Sequence, residues 1–503
     1  MEKLRNLASD IEKVSEEYSG LTWVQFTTGF DFGIDKKYEE MMSYYTSKEN
    51  FEYVRKIFDR NNLGEFEKRE AELMFKSFEP FHLSDEVNKL NMEISSLTNK
   101  LSGVLNTHRS TINGVEMSSV ELAQIMRNSD DESKRKEAYF ARTQVNKPLF
   151  DAGFAELINL RKEYAKLRGF DTFVDLQLDA NELDSNIFSS WKDELHEMVP
   201  AMNEKRSEMA GIYLGKNEVM PWDEAYLVSK IAPSLNKKVD MTEFYQVLRD
   251  FYKKFGFDLD KYNITYDIFP RKNKSEWGYN FPIAVEKDAR VLANVKNEYN
   301  EYGVLLHETG HGVHHFLQKR EEMILNQGIS GIITEGIANL FGSFLYDESF
   351  FSRFFTDNKI KEELKRYEDY SKVNSLRAIP SIMFDQDLYR TDIKTLDDIN
   401  DLAFKTTKDY LGVDRFGDQY PWGFRIHHTT HPIYLHNYFM GDVTSELLKK
   451  SFKDKFGVEK VSEKPMEFGN FLYEQVIKPS GKYKYAELVK KISGKEFSLE
   501  CMK

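Results

Sequence analysis

The stretch His307-Glu308-Thr309-Gly310-His311 places two imidazoles four positions apart, with a carboxylate beside the first. On a helix, residues four apart share one face, so both histidines can reach a single cation side by side. Glu308 can then take the proton of a water at the open metal position. Two imidazoles, a carboxylate and one open position form the donor set of a hydrolytic zinc centre. Chance matches to His-Glu-x-x-His in a chain of this composition number on the order of 0.02. The chemistry expected here is metal-assisted hydrolysis with one Zn2+ per chain.

The third ligand must come from further along. A histidine six residues after His311 would fit the metzincin plan, but that position is Leu317. A glutamate 19 or 20 residues on, as in thermolysin-like enzymes and the large aminopeptidases, would fall at Ser330 or Gly331. Glu335, 24 residues after His311, is the preferred ligand. Glu321 and Glu322 are alternatives, set in a charged stretch that reads as a solvated face. A second cluster runs from Arg425 to Tyr438 and holds His427, His428, His431, Tyr434 and His436. Hydrolysis puts negative charge on the former carbonyl oxygen, and donors from such a cluster lower that barrier by several kcal/mol, as a rough scale.

The elements that must position these groups read as helices almost throughout. Val304-Leu305-Leu306 before the motif and Val313, Phe316 and Leu317 after it give it the apolar background of a buried helix. Residues 328–346 are apolar enough to mimic a membrane span, yet Glu335 lies within them. A lone carboxylate in hydrocarbon is costly, so a buried helix presenting Glu335 inward is the better reading. Ser118-Ser119-Val120-Glu121 and Ser129-Asp130-Asp131-Glu132 read as capping boxes, and residues 84–105 as a long amphipathic helix. Residues 155–168 form another helix, stopped by Gly169. Arg290-Val291-Leu292-Ala293-Asn294-Val295 reads as a strand, after a turn-like stretch from Trp277 to Pro282. An edge strand there would hold an extended peptide through its backbone.

Composition narrows the function classes. The chain has 503 residues, 41% hydrophobic, with a formal net charge of −13. That acidity, with no long basic run, speaks against nucleic-acid binding. One cysteine, Cys501, rules out a disulfide within the chain and suits a reducing compartment. The N-terminus carries no apolar signal core. The expectation is a cytoplasmic protein without membrane attachment; nothing here fixes its oligomeric state. No nucleophile elbow, phosphate-binding loop or cysteine pair offers a competing chemistry.

These motifs resemble the gluzincin peptidases of the oligoendopeptidase F and thimet oligopeptidase family, related to the angiotensin-converting enzymes. Gly310 and His314 complete that family's His-Glu-x-Gly-His-x-x-His pattern, and residues 290–295 look like its substrate-binding strand. Leu160-Arg161-Lys162 through Phe170 resembles a recurring helix end of oligoendopeptidases. The resemblance covers roughly residues 80–470. It implies a mainly α fold, with two interleaved helical lobes around a deep cleft and a small β-sheet beside the zinc helix. The chain would be a single catalytic unit, helical over about 1–250, with the zinc site within about 251–503. Ligands would be His307, His311 and Glu335, with Glu308 as base. A ten-residue His-to-Tyr spacing picks out His428 and Tyr438 as stabilisers of the oxyanion. Tyr434, Ala293 and Asn294 would contact the substrate, a short oligopeptide.

Three positions depart from the converting enzymes. Ile426 stands where they carry a lysine for the substrate's terminal carboxylate, and Asn437 where they carry a chloride-linked arginine. Asn339 replaces an aspartate behind the zinc ligands; its amide oxygen can still accept a ligand histidine's N–H. The reading is an oligoendopeptidase. The alternatives are a peptidyl-dipeptidase releasing C-terminal dipeptides and a zinc- or peptide-binding protein without turnover.

Overall fold

The computed structural model describes residues 1–276 and 278–503, apart from the side chain of Ser480. Trp277, assigned above to a turn-like stretch, lies outside the described residues. Helices account for 69% of the chain and the strands form two small sheets, the mainly α class expected.

Local chemistry explains most boundaries. Ser118 and Glu121 cap each other reciprocally: Glu121 N–H donates to Ser118 Oγ at 3.2 Å, and Ser118 N–H donates to Glu121 Oε2 at 2.7 Å. That box opens the helix Ser119–Asn128. The second predicted box is displaced. Ser129 instead closes the preceding helix, its N–H donating to Ile125 O at 3.0 Å. Asp131 opens Glu132–Ala141, accepting from Ser133 N–H at 2.9 Å. A carboxylate nearer the helix start is the better acceptor for its free N–H groups. The long amphipathic helix spans Asp85–Thr107, and Phe154–Leu167 stops before Gly169, whose φ of 82° needs no Cβ.

Two compact units make up the chain. The first comprises Met1–Leu83, Leu235–Thr356 and Met440–Phe497. Its N-terminal helix Glu2–Thr28 buries Leu4, Ala8 and Ile11 against Val54, Met74, Phe78, Ile324 and Leu325. The second comprises Ser84–Ser234, Asp357–Phe439 and Ser498–Lys503. It is built on Met209, Leu227, Ile231 and Tyr370, with a further cluster of Leu122, Met126, Tyr139 and Trp222.

Strands β1 (Ser110–Ile112) and β2 (Val115–Met117) form a hairpin in the second unit, turned at Asn113-Gly114 with both φ positive. The first unit holds β3 (Ile264–Asp267), β4 (Tyr279–Ala284) and β5 (Asp288–Leu292) in the order β3-β5-β4. β5 pairs parallel to β3 and antiparallel to β4. The expected strand therefore exists but is central, and the stretch read as turn-like supplies one of the two edge strands. Pro282 in β4 suits an edge, where one N–H is dispensable. The apolar stretch that mimicked a membrane span contains the helix Gly331–Ser343. Among the described residues no single helix is long and apolar enough to cross a membrane.

Candidate active site

The helix Glu301–Phe316 carries both motif histidines, and Gly331–Ser343 carries Glu335. Glycine lets these helices approach closely. A Cβ on Gly310 would lie 3.2 Å from Ala338 Cα, so a side chain there would push them apart. Gly441 plays the same part behind Glu335: its Cβ would lie 2.9 Å from the Glu335 Cβ. Backbone support comes from Tyr252, whose hydroxyl donates to Leu306 O at 2.6 Å, and from Tyr266, whose hydroxyl meets Thr309 Oγ1 at 3.1 Å.

The result is a converging donor set. His307 Nε2 lies 3.8 Å from Glu335 Oε2, and His311 Nε2 lies 3.7 Å from Glu335 Oε1. All three donor atoms fall within 4.8 Å of one another. Burial pushes His307 down to about 4 and His311 to about 3, so both imidazoles are neutral with lone pairs to offer. Asn339 hydrogen-bonds His307 and donates its own Nδ2–H to Asp442 Oδ1 at 2.9 Å. That chain leaves the amide oxygen of Asn339 to accept the imidazole N–H, which orients the ring. Two neutral imidazoles and a carboxylate, held from behind, fit a divalent metal of the zinc type.

Glu308 sits beside this donor set, 8% exposed. Burial and the charge of Glu335 push its carboxyl up to about 8. A group held that far above its usual range is poised to exchange protons. Glu308 and the three donors line one cavity of about 500 Å³, together with Tyr279, Asn280 and Pro282 of β4. Asn280 Nδ2 also donates to Glu308 O at 3.3 Å, tying the edge strand to the motif helix.

Ala293 and Asn294, expected to contact the substrate, follow the central strand β5 rather than lying on that edge. Ala293 N–H donates to Asp267 O at 3.0 Å, and its carbonyl accepts from Lys274 Nζ at 2.6 Å. The Asn294 side chain donates to Ser275 O at 2.7 Å. His314, which completes the sequence pattern, is buried, and its Nε2 has no partner among the described residues.

In the second unit, His428 is 2% exposed and its Nδ1 lies 3.0 Å from Asp385 Oδ1. Asp385 also accepts from Ile433 N–H at 2.7 Å, fixing the loop on the far side of the ring. This pairing protonates Nδ1 and leaves Nε2 to act. Arg161 braces the same loop, donating to Thr429 O at 2.5 Å and to Tyr389 Oη at 2.9 Å. Tyr434 and Tyr438 are both exposed, with ring centroids 5.4 Å apart, and His427 stacks on Tyr434. Sequence reasoning missed Asp385, Asp442 and Asn280. Only Asp385 left a signal, as an acid inside the apolar run Ile382-Met383-Phe384.

A helical fold with a His-His-Glu donor set and an adjacent buried carboxyl defines a metallopeptidase. The model of peptidase family M3 matches residues 125–257 and 243–502, and the chain belongs to that family. No curated protein matches it by sequence. Among solved structures, PZ peptidase A is similar over 98% of this chain and 93% of its own, at 15% identity and a TM-score of 0.66. A protein assigned as oligoendopeptidase F from Bacillus anthracis str. Ames matches over 96% and 86%, at 17% identity and a TM-score of 0.64. A carboxypeptidase of Pyrococcus furiosus matches over 100% and 97%, at 16% identity and a TM-score of 0.66. At such identities these likenesses speak for the fold alone.

Proposed function

We propose that the protein is a zinc-dependent oligoendopeptidase that cleaves internal bonds of short peptides. The observation that carries this reading is the convergence of His307, His311 and Glu335 on the cavity that also holds the buried Glu308. One zinc ion held by those three residues would polarise the scissile carbonyl and acidify a water beside it. Glu308 takes the proton from the attacking water at a carboxylate oxygen and delivers it to the leaving amine. The free edge of β4 holds the substrate backbone in extended form. His428, its Nδ1 engaged by Asp385, offers an Nε2 proton to the developing oxyanion when cationic, and Tyr438 offers its hydroxyl. Tyr434 contacts the substrate.

The test is a quenched oligopeptide incubated with and without chelator, followed by mass spectrometry of products from free and C-terminally amidated forms. Chelator-sensitive cleavage at the same internal bond in both forms is expected. Cleavage that always releases a C-terminal dipeptide would replace this reading with the peptidyl-dipeptidase one. Peptide binding without any cleavage would leave a binding protein.

A further inference from the structure

The second unit contains a group of cations without anions. Arg142 lies with its guanidinium carbon 4.5 Å from the centre of the Phe424 ring, and Arg425 lies 5.6 Å from the same centre. Neither guanidinium makes a hydrogen bond or ion pair among the described residues, and the buried Arg142 Nε is left without an acceptor. In a chain of net charge −13, where most arginines find a carboxylate, two bare guanidiniums on one ring are conspicuous.

The neighbours extend the pattern. Tyr139 and Tyr420 both pack on the Phe416 ring, each with centroids 6.0 Å away, and the charges of Arg142 and Arg425 reach the Tyr139 phenol. Burial and the charge of Arg425 push Arg142 down to about 10. Arg377 differs, since the carboxylate of Glu224, which accepts from Arg206 at 2.6 Å and Tyr370 at 2.8 Å, also acts on it. Like charges crowded together without a counter-ion are costly, and an arriving anion removes that cost. Guanidinium forks suit the planar, two-oxygen shape of a carboxylate, and phenol hydroxyls add donors. The charge of Arg425 also reaches His427, which stacks on Tyr434. The cation group therefore adjoins the surface assigned above to substrate.

We propose that Arg142 and Arg425, with the hydroxyls of Tyr139 and Tyr420, form a carboxylate-binding site in the second unit, so that the preferred peptides carry a carboxylate seated there. This rests on the peptidase reading for the identity of the ligand. Two sources share the chemistry: the peptide's C-terminus and an Asp or Glu side chain.

The experiment measures binding of a fluorescent peptide containing one Glu to Glu308→Gln protein, so that nothing is cleaved. The peptide is used in three forms: free acid, C-terminal amide, and Glu replaced by Gln. Neutralising the carboxylate that occupies the site should weaken binding about ten-fold or more, the scale of a charged hydrogen-bonded pair. If amidation has this effect the C-terminus is bound; if Glu-to-Gln has it, the side chain is. Adding Arg425→Gln, at an exposed position that does not endanger folding, should abolish the discrimination. Arg142→Lys, which keeps charge but loses the fork, should reduce it. Equal binding of all three forms, no detectable binding of any, or discrimination that survives Arg425→Gln would overturn the proposal. The two readings fail separately. Chelator-sensitive cleavage by the wild type without carboxylate discrimination sinks only this one, while discrimination without cleavage sinks only the peptidase reading.

Discussion

The metal cavity of the first unit and the arginine–phenol group of the second handle burial of charge in opposite ways. In the cavity, two carboxyls and two neutral imidazoles crowd together, and burial drives Glu308 up and the histidines down. Such a site is completed by a cation. In the second unit guanidiniums crowd together and burial drives Arg142 down, so an anion completes it. The lesson is that a buried cluster of one charge sign advertises the sign of what it binds. The same comparison separates the buried, Asp385-oriented His428 from the exposed Tyr434 and Tyr438. One is oriented by an acid behind its ring; the others lie exposed at the surface.

The comparison can be broken most sharply at the cavity. Glu308→Gln should retain metal yet lose about 10³-fold or more in kcat, read by peptide cleavage alongside metal analysis. Residual activity within about ten-fold of wild type would remove Glu308 from its role. In the second unit, His428→Ala and Tyr438→Phe should each lower kcat by about 10²-fold with little change in KM. A rise in KM alone would make them binding residues. Returning to the cavity, Asn339→Ala should weaken metal binding about 10- to 100-fold in a competition titration against a chelator, because the His307 ring loses its orienting acceptor. An unchanged affinity would reduce Asn339 to packing.

The smallest effect concerns pH. His436 of the second unit is buried with no partner for its Nε2 among the described residues, and burial alone pushes it down to about 4. The folded state favours the neutral ring, so this contribution is complete above about 6.5 and is lost as pH falls toward about 4. The loss amounts to about 3 kcal/mol over that window. Thermal unfolding scans should give His436→Phe a shallower decline of Tm across the same range than wild type. Parallel declines would place the acid sensitivity elsewhere.

Much of the cavity was legible in the chain because its groups lie on two helices close in sequence. His307 and His311 needed only helical spacing, and Glu335 followed from its apolar background once the other ligand spacings met no donor. The substrate strand was legible as a strand but not as an edge. β-branched composition makes Arg290–Val295 a good strand, yet pairing on both sides depends on β3 and β4, whose positions composition does not specify. The turn-like reading of Trp277 to Pro282, a stretch holding Gly278 and Pro282, gave way to the strand Tyr279–Ala284 because the sheet overrode that local signal. Asp385 and Asp442 stayed hidden because each serves a residue on a distant segment, 43 positions away for His428 and 103 for Asn339.

What the sequence determined by itself is therefore the chemistry of the donors and the helical class. Donor type, four-residue spacing and helical periodicity are local properties, carried by covalent neighbours. The tertiary structure alone decided which strands lie at the sheet edges, which acids stand behind His307 and His428, and that Arg142 and Arg425 share one aromatic ring. Those depend on long-range packing, where a residue's partner is set by how helices and strands meet rather than by what lies beside it in the chain.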